Sequence, residues 1–228
     1  MRDSSKKTER DIMEGNLNFP REIKQTATTA HVANHVAKEA SESRASRLER
    51  LTLRRPATED GGDVNALIKA CAPLDENSMY CNLLQCSHFS DTCVVAELDG
   101  EIVGFVSGYV VPDNQEHFFV WQVAVAEEAR GLSLAKRMIL DILGRENLGD
   151  VKELHTTITP DNAPSQKLFS SVARSLETGV RRKVMFCEEQ HFDGDKPSEI
   201  LWRIGPFDME ELLPNLADDL AGDVKKAA

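Results

Sequence analysis

The sequence lacks a long hydrophobic run, an excess of basic residues and any paired spacing of its cysteines. A membrane-spanning helix needs about 18 or more consecutive apolar residues, and no stretch approaches that length. We therefore expect no spanning segment and no membrane partner. The charged N-terminus also lacks the apolar core that a secretory signal carries, so we expect no such signal.

The cysteines argue against an oxidised or metal-bound scaffold. A disulfide framework normally uses an even number of cysteines, and structural zinc sites use Cys-x-x-Cys or similar spacings. Neither pattern is present, which predicts small buried thiols in a reduced cytoplasm and no metal. The five cysteines are Cys71, Cys81, Cys86, Cys93 and Cys187.

Basic residues are outnumbered by acidic ones. Lysine and arginine total 27 against 38 aspartates and glutamates, which gives a formal net charge of −11 at pH 7. A chain this acidic is a poor candidate for binding phosphate backbones without specificity, so we expect no nucleic-acid partner. Apolar residues, at 41%, suffice for a globular core, and 228 residues allow one domain with extensions.

Composition divides the chain into three parts. Residues 1–48 are rich in alanine, serine, threonine and charge without a sustained apolar stripe, which predicts a disordered N-terminal extension. A docking arm for a partner is the alternative. Residues 207–228 are acidic, and leucines at near-helical spacing predict a short surface helix in this C-terminal tail. Residues 49–206 then form the one folded domain.

The central part has the pattern of an α/β fold. Asp99-Gly100 separates two apolar runs, 92–98 and 101–111, which predicts a β-hairpin. Residues 118–125 are almost continuously apolar, which predicts a strand buried on both faces. Antiparallel strands followed by strand–helix–strand–helix imply a mixed, mostly antiparallel central sheet with helices on both sides.

Two later helices are bounded by recognisable residues. Apolar residues at helical spacing in 134–143 are followed by Gly144, a residue typical of helix ends. After a β-branched strand at 153–158, Asp161 or Asn162 can cap a helix that begins near Pro164.

The loop between the apolar strand and the first of these helices carries the clearest chemical signal. It reads Arg130-Gly-Leu-Ser-Leu-Ala135 and opens the helix. Unsatisfied backbone N–H groups and the positive helix end favour an anion such as pyrophosphate there. Gly131 permits close approach to the backbone, Ser133 offers a hydroxyl and Arg130 a positive charge. A plain strand–loop–helix connection is the alternative.

This loop in this context resembles motif A of the GNAT acetyltransferase superfamily, Arg/Gln-x-x-Gly-x-Gly/Ala. Arg130 and Ala135 match the motif, whereas Ser133 stands where the central glycine is expected. The resemblance implies a GNAT fold with acetyl-CoA as co-substrate, and a strand that splays from its neighbour so that a backbone N–H polarises the thioester carbonyl. The implied cofactor contacts are Val123, Ala124, Val125, Arg130, Gly131, Leu132, Ser133, Leu134, Ala135, Asn162 and Ser165.

Five further blocks narrow the resemblance. Over roughly residues 51–206 the chain resembles the L-2,4-diaminobutyrate acetyltransferase family of ectoine biosynthesis. The resemblance implies direct acetyl transfer, in a ternary complex, from acetyl-CoA to the γ-amine of L-2,4-diaminobutyrate, giving N4-acetyl-L-2,4-diaminobutyrate, a precursor of the compatible solute ectoine. It also implies a role in osmotic stress and a cytoplasmic homodimer. The blocks are residues 67–80, 88–93, 102–109, 121–125 and 156–162.

An acceptor with two amines needs carboxylates or aromatic faces to anchor its ammonium group. Asp75, Tyr80 and Trp121 have this chemistry, and the resemblance assigns them to the substrate pocket. From the residues alone, Asp75 is equally a cap, Tyr80 a core or interface aromatic, and Trp121 a core residue. The further substrate contacts that the resemblance implies are Asn77, Thr159, His191 and Glu199.

Proton transfer is the step that the sequence specifies least. A protonated amine must lose a proton before it attacks, and no base is identified, because His155 sits in a strand and His191 and Glu199 lie in a late loop. Many GNAT enzymes use a tyrosine after the position of Asn162 as the acid, and this helix has none. Ser165, water or Tyr80 can take this role, and of these Tyr80 is our candidate catalytic residue.

Two other functions are compatible with the sequence. One is a GNAT enzyme with a different acceptor, such as another diamine, an amino acid or a protein amine. The other is a non-catalytic module that binds CoA without turnover, which the Ser133 departure from the motif suggests.

Overall fold

The computed structural model describes residues 44–216, so the extension predicted before residue 44 and the tail after residue 216 lie outside the described residues. No helix within the described range is long and apolar enough to cross a membrane. The helices and strands, in chain order, are α1 (Arg44–Glu49), β1 (Leu51–Arg54), α2 (Gly61–Ala70), α3 (Met79–Ser87), β2 (Val94–Leu98), β3 (Glu101–Val110), β4 (His117–Val125), α4 (Leu134–Leu143), β5 (Glu153–Ile158), α5 (Ala163–Ser175), β6 (Val180–Phe186), α6 (Glu188–His191), β7 (Glu199–Ile204) and α7 (209–216).

The strands of residues 44–216 form a seven-stranded sheet in the order β1-β2-β3-β4-β5-β7-β6. Every neighbouring pair is antiparallel except β4 and β5, which are parallel. Apolar side chains of α4 and α5, such as Met138 and Phe169, fill the core on one face of the sheet. Those of α2, such as Val64, pack against Phe105 on the other face. The predicted mixed sheet with helices on both sides is confirmed.

The hairpin between β2 and β3 follows from its two turn residues. Asp99 and Gly100 both have positive φ, at 55° and 88°. Positive φ at both central positions defines the type I′ turn, whose twist matches that of the flanking strands. The predicted hairpin and its turn are therefore confirmed.

Strand β4 corrects the prediction of a strand buried on both faces. Its residues alternate between buried and less buried, and Trp121 is 52% exposed. Ser107 of β3 lies opposite Gln122, but the next residue, Gly108, lies opposite Val120, so Trp121 is an extra residue in a β-bulge. The bulge exchanges the two faces: Val120 packs into the α4/α5 core, whereas Ala124 packs into the α2/α3 core.

Gly108 is the residue that the partner strand needs at the bulge. A Cβ at this position would lie 2.3 Å from the ring of Phe118 and 2.7 Å from the carbonyl oxygen of Phe119. Both distances are impossible for real atoms, so any larger residue would push β3 away from the start of β4.

Strands β4 and β5 are paired at only one end. Within residues 44–216, their pairing is confined to His117–Phe119 opposite Glu153–His155. The rest of β4 keeps its partner β3, and the rest of β5 keeps its partner β7. The sheet therefore splits open between the two parallel strands, towards the ends where their following helices begin.

The chain after β7 corrects the prediction of a surface helix in an acidic tail. Phe207, Met209, Leu212 and Leu216 are all less than 9% exposed and belong to the α4/α5 core. Leucine spacing alone does not distinguish a core helix from a surface helix, because the covering layer is distant in sequence. At the other end, α1 is helical within the stretch predicted to be disordered, and its Leu48 packs against the same core.

Candidate active site

A cleft lies where β4 ends and α4 begins, against the middle of α5. Its volume is about 260 Å³. Six of the residues that the sequence predicts to hold the cofactor line it, namely Val125, Arg130, Gly131, Ser133, Leu134 and Ala135. Because one strand end, one loop and the first turn of one helix supply all six, the local chain order alone brings them together.

The floor of the cleft has the properties of an anion site. Gly131 and Ser133 both adopt left-handed backbone conformations, with φ of 82° and 57°, which turn the chain sharply into α4. The Ser133 side chain does not cap the helix, so the first N–H groups of α4 are left to other acceptors. Arg130 and the largely buried Lys136 also line the cleft, and both are positively charged.

The Ser133 hydroxyl, which the sequence predicts to bind the anion, contacts another part of the chain. Its Oγ accepts a hydrogen bond of 3.2 Å from Nη2 of Arg44, and Arg47 donates to the backbone carbonyl of Glu128. Helix α1 is thus attached to the loop through two arginines. Ser133 has a φ of 57°, so it makes the left-handed turn as the motif glycine would. Its backbone N–H is also present, as it would be in glycine.

The side chains of the other predicted cofactor residues do not line the cleft. Leu132 is 2% exposed within the core, and Ala124 packs on the opposite face of the sheet. Val123 is half-buried against the α4/α5 core. Asn162 caps α5 by accepting from the N–H of Ser165 at 3.1 Å. Contacts from the backbone of β4 and from Asn162 and Ser165 remain predictions.

Two of the predicted acceptor residues, Asp75 and Asn77, lie beside Gln122 at the β4 bulge, on the other side of the sheet. Gln122 accepts a 2.8 Å hydrogen bond from Nδ2 of Asn77 and donates one of 2.8 Å to the carbonyl oxygen of Asp75. The 75–77 loop is therefore tied to the residue next to Trp121. Tyr80 follows in the first turn of α3 and is 70% exposed.

The late loop before β7 reaches the same region. Lys196 forms an ion pair with the exposed carboxylate of Asp75 at 3.3 Å. Glu199 begins β7 a few residues later. His191 instead uses Nδ1 to accept from the N–H of Cys187 at 2.9 Å, and Thr159 donates to Asp161 at 2.7 Å. The structure thus ties Asp75 and Asn77 to Gln122, the residue next to Trp121, and it shows local partners for His191 and Thr159.

A second polar cluster lies at the opposite, paired ends of β4 and β5. Glu153 accepts hydrogen bonds from Arg203 at 2.9 Å, from Arg181, and from His155 at 3.0 Å. His117 lies 3.7 Å from the same carboxylate. Two histidines and a carboxylate can ligate a metal ion, but two guanidinium groups already occupy this carboxylate and repel a cation. We therefore interpret the cluster as a structural ion network.

The charges in this network shift two pKa values. Burial raises the pKa of Glu153, but hydrogen bonds from His155 and Arg203 and the charges of the two arginines outweigh it and lower that pKa to about 2. Burial lowers the pKa of His155 despite its bond to Glu153. A histidine held neutral beside a fixed carboxylate, at the closed end of the strands, is a poor candidate for the missing base.

The cysteines are free thiols, as predicted. Cys71, Cys86 and Cys93 are buried, whereas Cys81 and Cys187 are partly exposed, so burial holds for three of the five. Burial raises the pKa of Cys86 to about 11 and that of Cys93 to about 12. These two thiols stay protonated at neutral pH and are poor nucleophiles.

Sequence reasoning missed several residues of the site. Lys136, Leu168 and Ser171 also line the cleft. Leu168 and Ser171 are three residues apart on α5, so the facing surface of the helix after β5 was the signal that could have found them. Gln122 lies beside a predicted substrate residue but gave no signal, because a single amide in an apolar strand has no diagnostic pattern.

The fold and the cleft agree with the family comparison. The model of the acetyltransferase (GNAT) family matches residues 63–172, which span α2 to α5 and so include the loop, both flanking helices and the splayed strands. This defines the class of protein and confirms the fold predicted from motif A.

More specific similarity comes from curated relatives. The chain is 50% identical over 157 residues to the L-2,4-diaminobutyric acid acetyltransferase of Methylotuvimicrobium alcaliphilum, covering 69% of this chain and 91% of that protein. It is 48% identical over 151 residues to the enzyme of the same name from Vibrio cholerae, covering 66% and 87%. The chain therefore belongs to the L-2,4-diaminobutyric acid acetyltransferase family within the GNAT acetyltransferases.

A solved structure supports the same assignment. The chain is 39% identical, with a TM-score of 0.66, to the diaminobutyrate acetyltransferase EctA from Paenibacillus lautus, covering 69% of this chain and 95% of that one. That structure is a complex with L-2,4-diaminobutyric acid and coenzyme A. The resemblance seen in the sequence is confirmed.

Proposed function

We propose that this protein transfers the acetyl group of acetyl-CoA to the γ-amine of L-2,4-diaminobutyrate, giving N4-acetyl-L-2,4-diaminobutyrate for ectoine biosynthesis. The observation that carries the proposal is the 40–50% identity to enzymes of that name over most of their length. The geometry is consistent with it, because a cleft suited to an anionic cofactor and a loop suited to an ammonium group share one strand, β4.

The cleft fits coenzyme A in its chemistry. Gly131 presents bare backbone, Arg130 and Lys136 supply positive charge, and the first turn of α4 supplies N–H donors for a pyrophosphate. Val125 and Leu168 offer apolar surface to the arm that follows. When bound, acetyl-CoA supplies the activated thioester.

Strand β4 relates the cleft to the acceptor residues. Trp121 lies four residues before Val125, which is about 13 Å along an extended strand. We propose that the cofactor arm lies along this splayed edge, and that a backbone N–H of Val123, Ala124 or Val125 polarises the thioester carbonyl. The missing pairing with β5 leaves this edge of β4 accessible.

The acceptor end is proposed around Asp75 and Trp121. Asp75 offers a carboxylate, and Trp121 an aromatic face, to the α-ammonium group. This leaves the γ-amine for direct attack in a ternary complex. Tyr80 is the proposed proton donor to the departing thiolate, and Asn77, Thr159, His191 and Glu199 are the further proposed substrate contacts.

The decisive test is a thiol-release assay with purified protein and acetyl-CoA. Diaminobutyrate, ornithine, lysine and spermidine are compared as acceptors, and mass spectrometry locates the acetyl group. We expect turnover chiefly on diaminobutyrate at the γ-nitrogen. Preferred turnover of another amine would contradict the proposed substrate, and CoA binding without turnover of any amine would contradict catalysis itself.

Asp75→Asn tests the proposed ammonium contact. The substitution removes the charge but keeps the size, so we expect the KM for diaminobutyrate to rise about tenfold or more, while the KM for acetyl-CoA changes less than about twofold. Steady-state kinetics with each substrate varied in turn gives both values. Glu76→Gln, the exposed neighbour, is the matched control, and an equal effect there would mean that charge in general matters rather than this carboxylate.

We also propose a cytoplasmic homodimer with β6 in its interface. Within residues 44–216, β6 is one of the two edge strands of the sheet, and Val184, Met185 and Phe186 on it are 57%, 40% and 38% exposed. Although β6 has three basic residues after Val180, its apolar end from Val184 to Phe186 is an exposed patch that normally needs a cover. A second copy of the chain offers the same edge, so two copies can pair about a two-fold axis. The free thiols support a reducing compartment.

Val184→Lys should dissociate this dimer. A charge on the edge strand places like charges together across a two-fold interface and opposes strand pairing. Light scattering coupled to gel filtration should report a fall from two chains per particle to one at micromolar concentration. Phe89→Lys replaces an exposed apolar side chain elsewhere (44% exposed, against 57% for Val184) and should remain dimeric; dissociation of both variants would argue against β6 as the interface.

A further inference from the structure

Five amide side chains beneath the 75–77 loop belong to one hydrogen-bonded network, in which the backbone carbonyl of Asn77 supplies one of the links. They connect α2 and α3 with β4, across the α2/α3 face of the sheet. Four of them are 9% exposed or less, and the fifth is half-buried. The members are Asn65, Asn77, Asn82, Gln85 and Gln122.

Asn65 is the centre of this network. Its Nδ2 donates to Oδ1 of Asn82 at 2.8 Å and to the backbone carbonyl of Asn77 at 3.2 Å. The side chain of Asn77 donates onward to Gln122, which in turn donates to the carbonyl of Asp75. We call Asn65, Asn77 and Gln122 the loop arm. Asn82 and Gln85, joined by a 2.9 Å bond within α3, form the helix arm.

The two arms differ in what their hydrogen bonds hold in place. The helix arm ends at Nε2 of Gln85, which is buried and has no hydrogen-bond partner among the described residues. Apolar side chains of the same size would pack between α2 and α3 without that unsatisfied donor, so packing alone does not explain the amides. The loop arm instead clamps two backbone carbonyls and one side chain of a three-residue loop. The last member of the loop arm, Gln122, is adjacent to Trp121 in β4.

We propose that Asn65 and Gln122 are positioning residues for the amine acceptor, holding the 75–77 loop on β4 so that Asp75 and Trp121 form one binding site. This inference rests on the proposed function. The side chain of Asp75 is highly exposed and Lys196 is its ion-pair partner in the described chain, so the carboxylate depends on its backbone for its place. Asn65 acts through that backbone, at one remove from the substrate.

Asn65→Leu and Gln85→Met form a matched pair for the test. Each replaces one buried amide by an apolar side chain of similar shape. Asn65→Leu removes the bonds to Asn77 and to Asn82, whereas Gln85→Met removes only a bond to Asn82. We expect Asn65→Leu to raise the KM for diaminobutyrate about tenfold, with little change in the KM for acetyl-CoA. Gln85→Met should leave both KM values within about twofold of the wild-type values. The two variants should have similar melting temperatures, so a difference in KM between them does not reflect a difference in stability.

Hydrogen exchange supplies a readout that does not depend on turnover. Backbone amides of residues 74–78 should exchange at least about tenfold faster in Asn65→Leu than in the wild type, and at an unchanged rate in Gln85→Met. In the double variant with Asp75→Asn, the two effects on the KM for diaminobutyrate should be less than additive, because both act on one contact.

Equal effects of the two variants on KM and on exchange would overturn the inference, since a purely structural amide network predicts that result. If the wild type acetylates a different amine, the proposed function fails, and the same comparison is made with that amine. If no amine is acetylated, unchanged exchange of residues 74–78 in Asn65→Leu still refutes the positioning role, and faster exchange supports it.

Discussion

Glu153→Gln should lower the free energy of unfolding by about 3 kcal/mol at pH 7. Glu153 has a folded-state pKa of about 2 against a usual value of 4.5, and one pKa unit corresponds to about 1.4 kcal/mol. The substitution keeps the shape but leaves Arg181 and Arg203 without their counter-charge near the join of β4, β5, β6 and β7. Urea unfolding followed by circular dichroism measures the difference.

The pH dependence of this effect has a definite sign. Because folding depresses the pKa of Glu153, its contribution is complete above about pH 4.5 and is lost as the pH falls towards about 2. The wild type and Glu153→Gln should therefore converge in stability at acid pH. The depressed pKa of His155 adds, in both proteins, a loss of stability as the pH falls below about 6.5.

Glu101→Gln is the control for Glu153→Gln. Glu101 is an exposed carboxylate at the start of β3, so we expect its loss to change stability by less than about 0.5 kcal/mol. A comparable loss in both variants, or a difference from the wild type that does not shrink at acid pH, would contradict the ion-network interpretation.

Gly131→Ala should weaken coenzyme A binding about 30-fold. Gly131 has φ of 82°, which strains any residue with a Cβ. The added methyl meets no protein atom within 4 Å, so it stands free at the cleft, where the cofactor pyrophosphate is proposed to approach the backbone. A loss of about 2 kcal/mol of binding corresponds to that factor. Calorimetric titration with coenzyme A measures it.

Gly100→Ala separates backbone strain from cofactor contact. Gly100 has φ of 88°, and a methyl group added there would also stand in open space, but it lies in the β2–β3 turn. We expect Gly100→Ala and Gly131→Ala each to lower the free energy of unfolding by about 1 kcal/mol. Gly100→Ala should leave the affinity for coenzyme A unchanged. If both alanine variants bind coenzyme A like the wild type, the loop does not approach the pyrophosphate at Gly131.

The features that the sequence predicted well are those encoded by neighbouring residues. Asp99-Gly100 specifies its own turn, Gly144 ends α4, and Asn162 caps α5 through the N–H of Ser165. The cleft was predictable for the same reason, because one loop and the helix after it supply most of its lining. Such signals are local, and the rest of the fold does not override them.

The features that were missed depend on partners distant in the chain. Trp121 is a bulge residue only because β3 pairs out of register across it, and nothing in β4 itself shows that. The sequence of α3 resembles a polar segment in part, because its buried Asn82 and Gln85 look like surface residues until Asn65 is placed beside them. The chain from Phe207 looks like a tail until the α4/α5 core is assembled around it.

The place of β7 in the sheet has a consequence for synthesis on the ribosome. β7 lies between β5 and β6 although it follows both in the chain. Until β7 emerges, β5 carries an open edge and β6 has no strand to join, so the second half of the sheet cannot form stepwise. The core then closes only after residues 207–216 arrive as well. A nascent chain that pauses before β7 would expose the unpaired edge of β5, which can pair with another chain. The rate of translation over residues 180–216 should therefore influence how much of the protein aggregates.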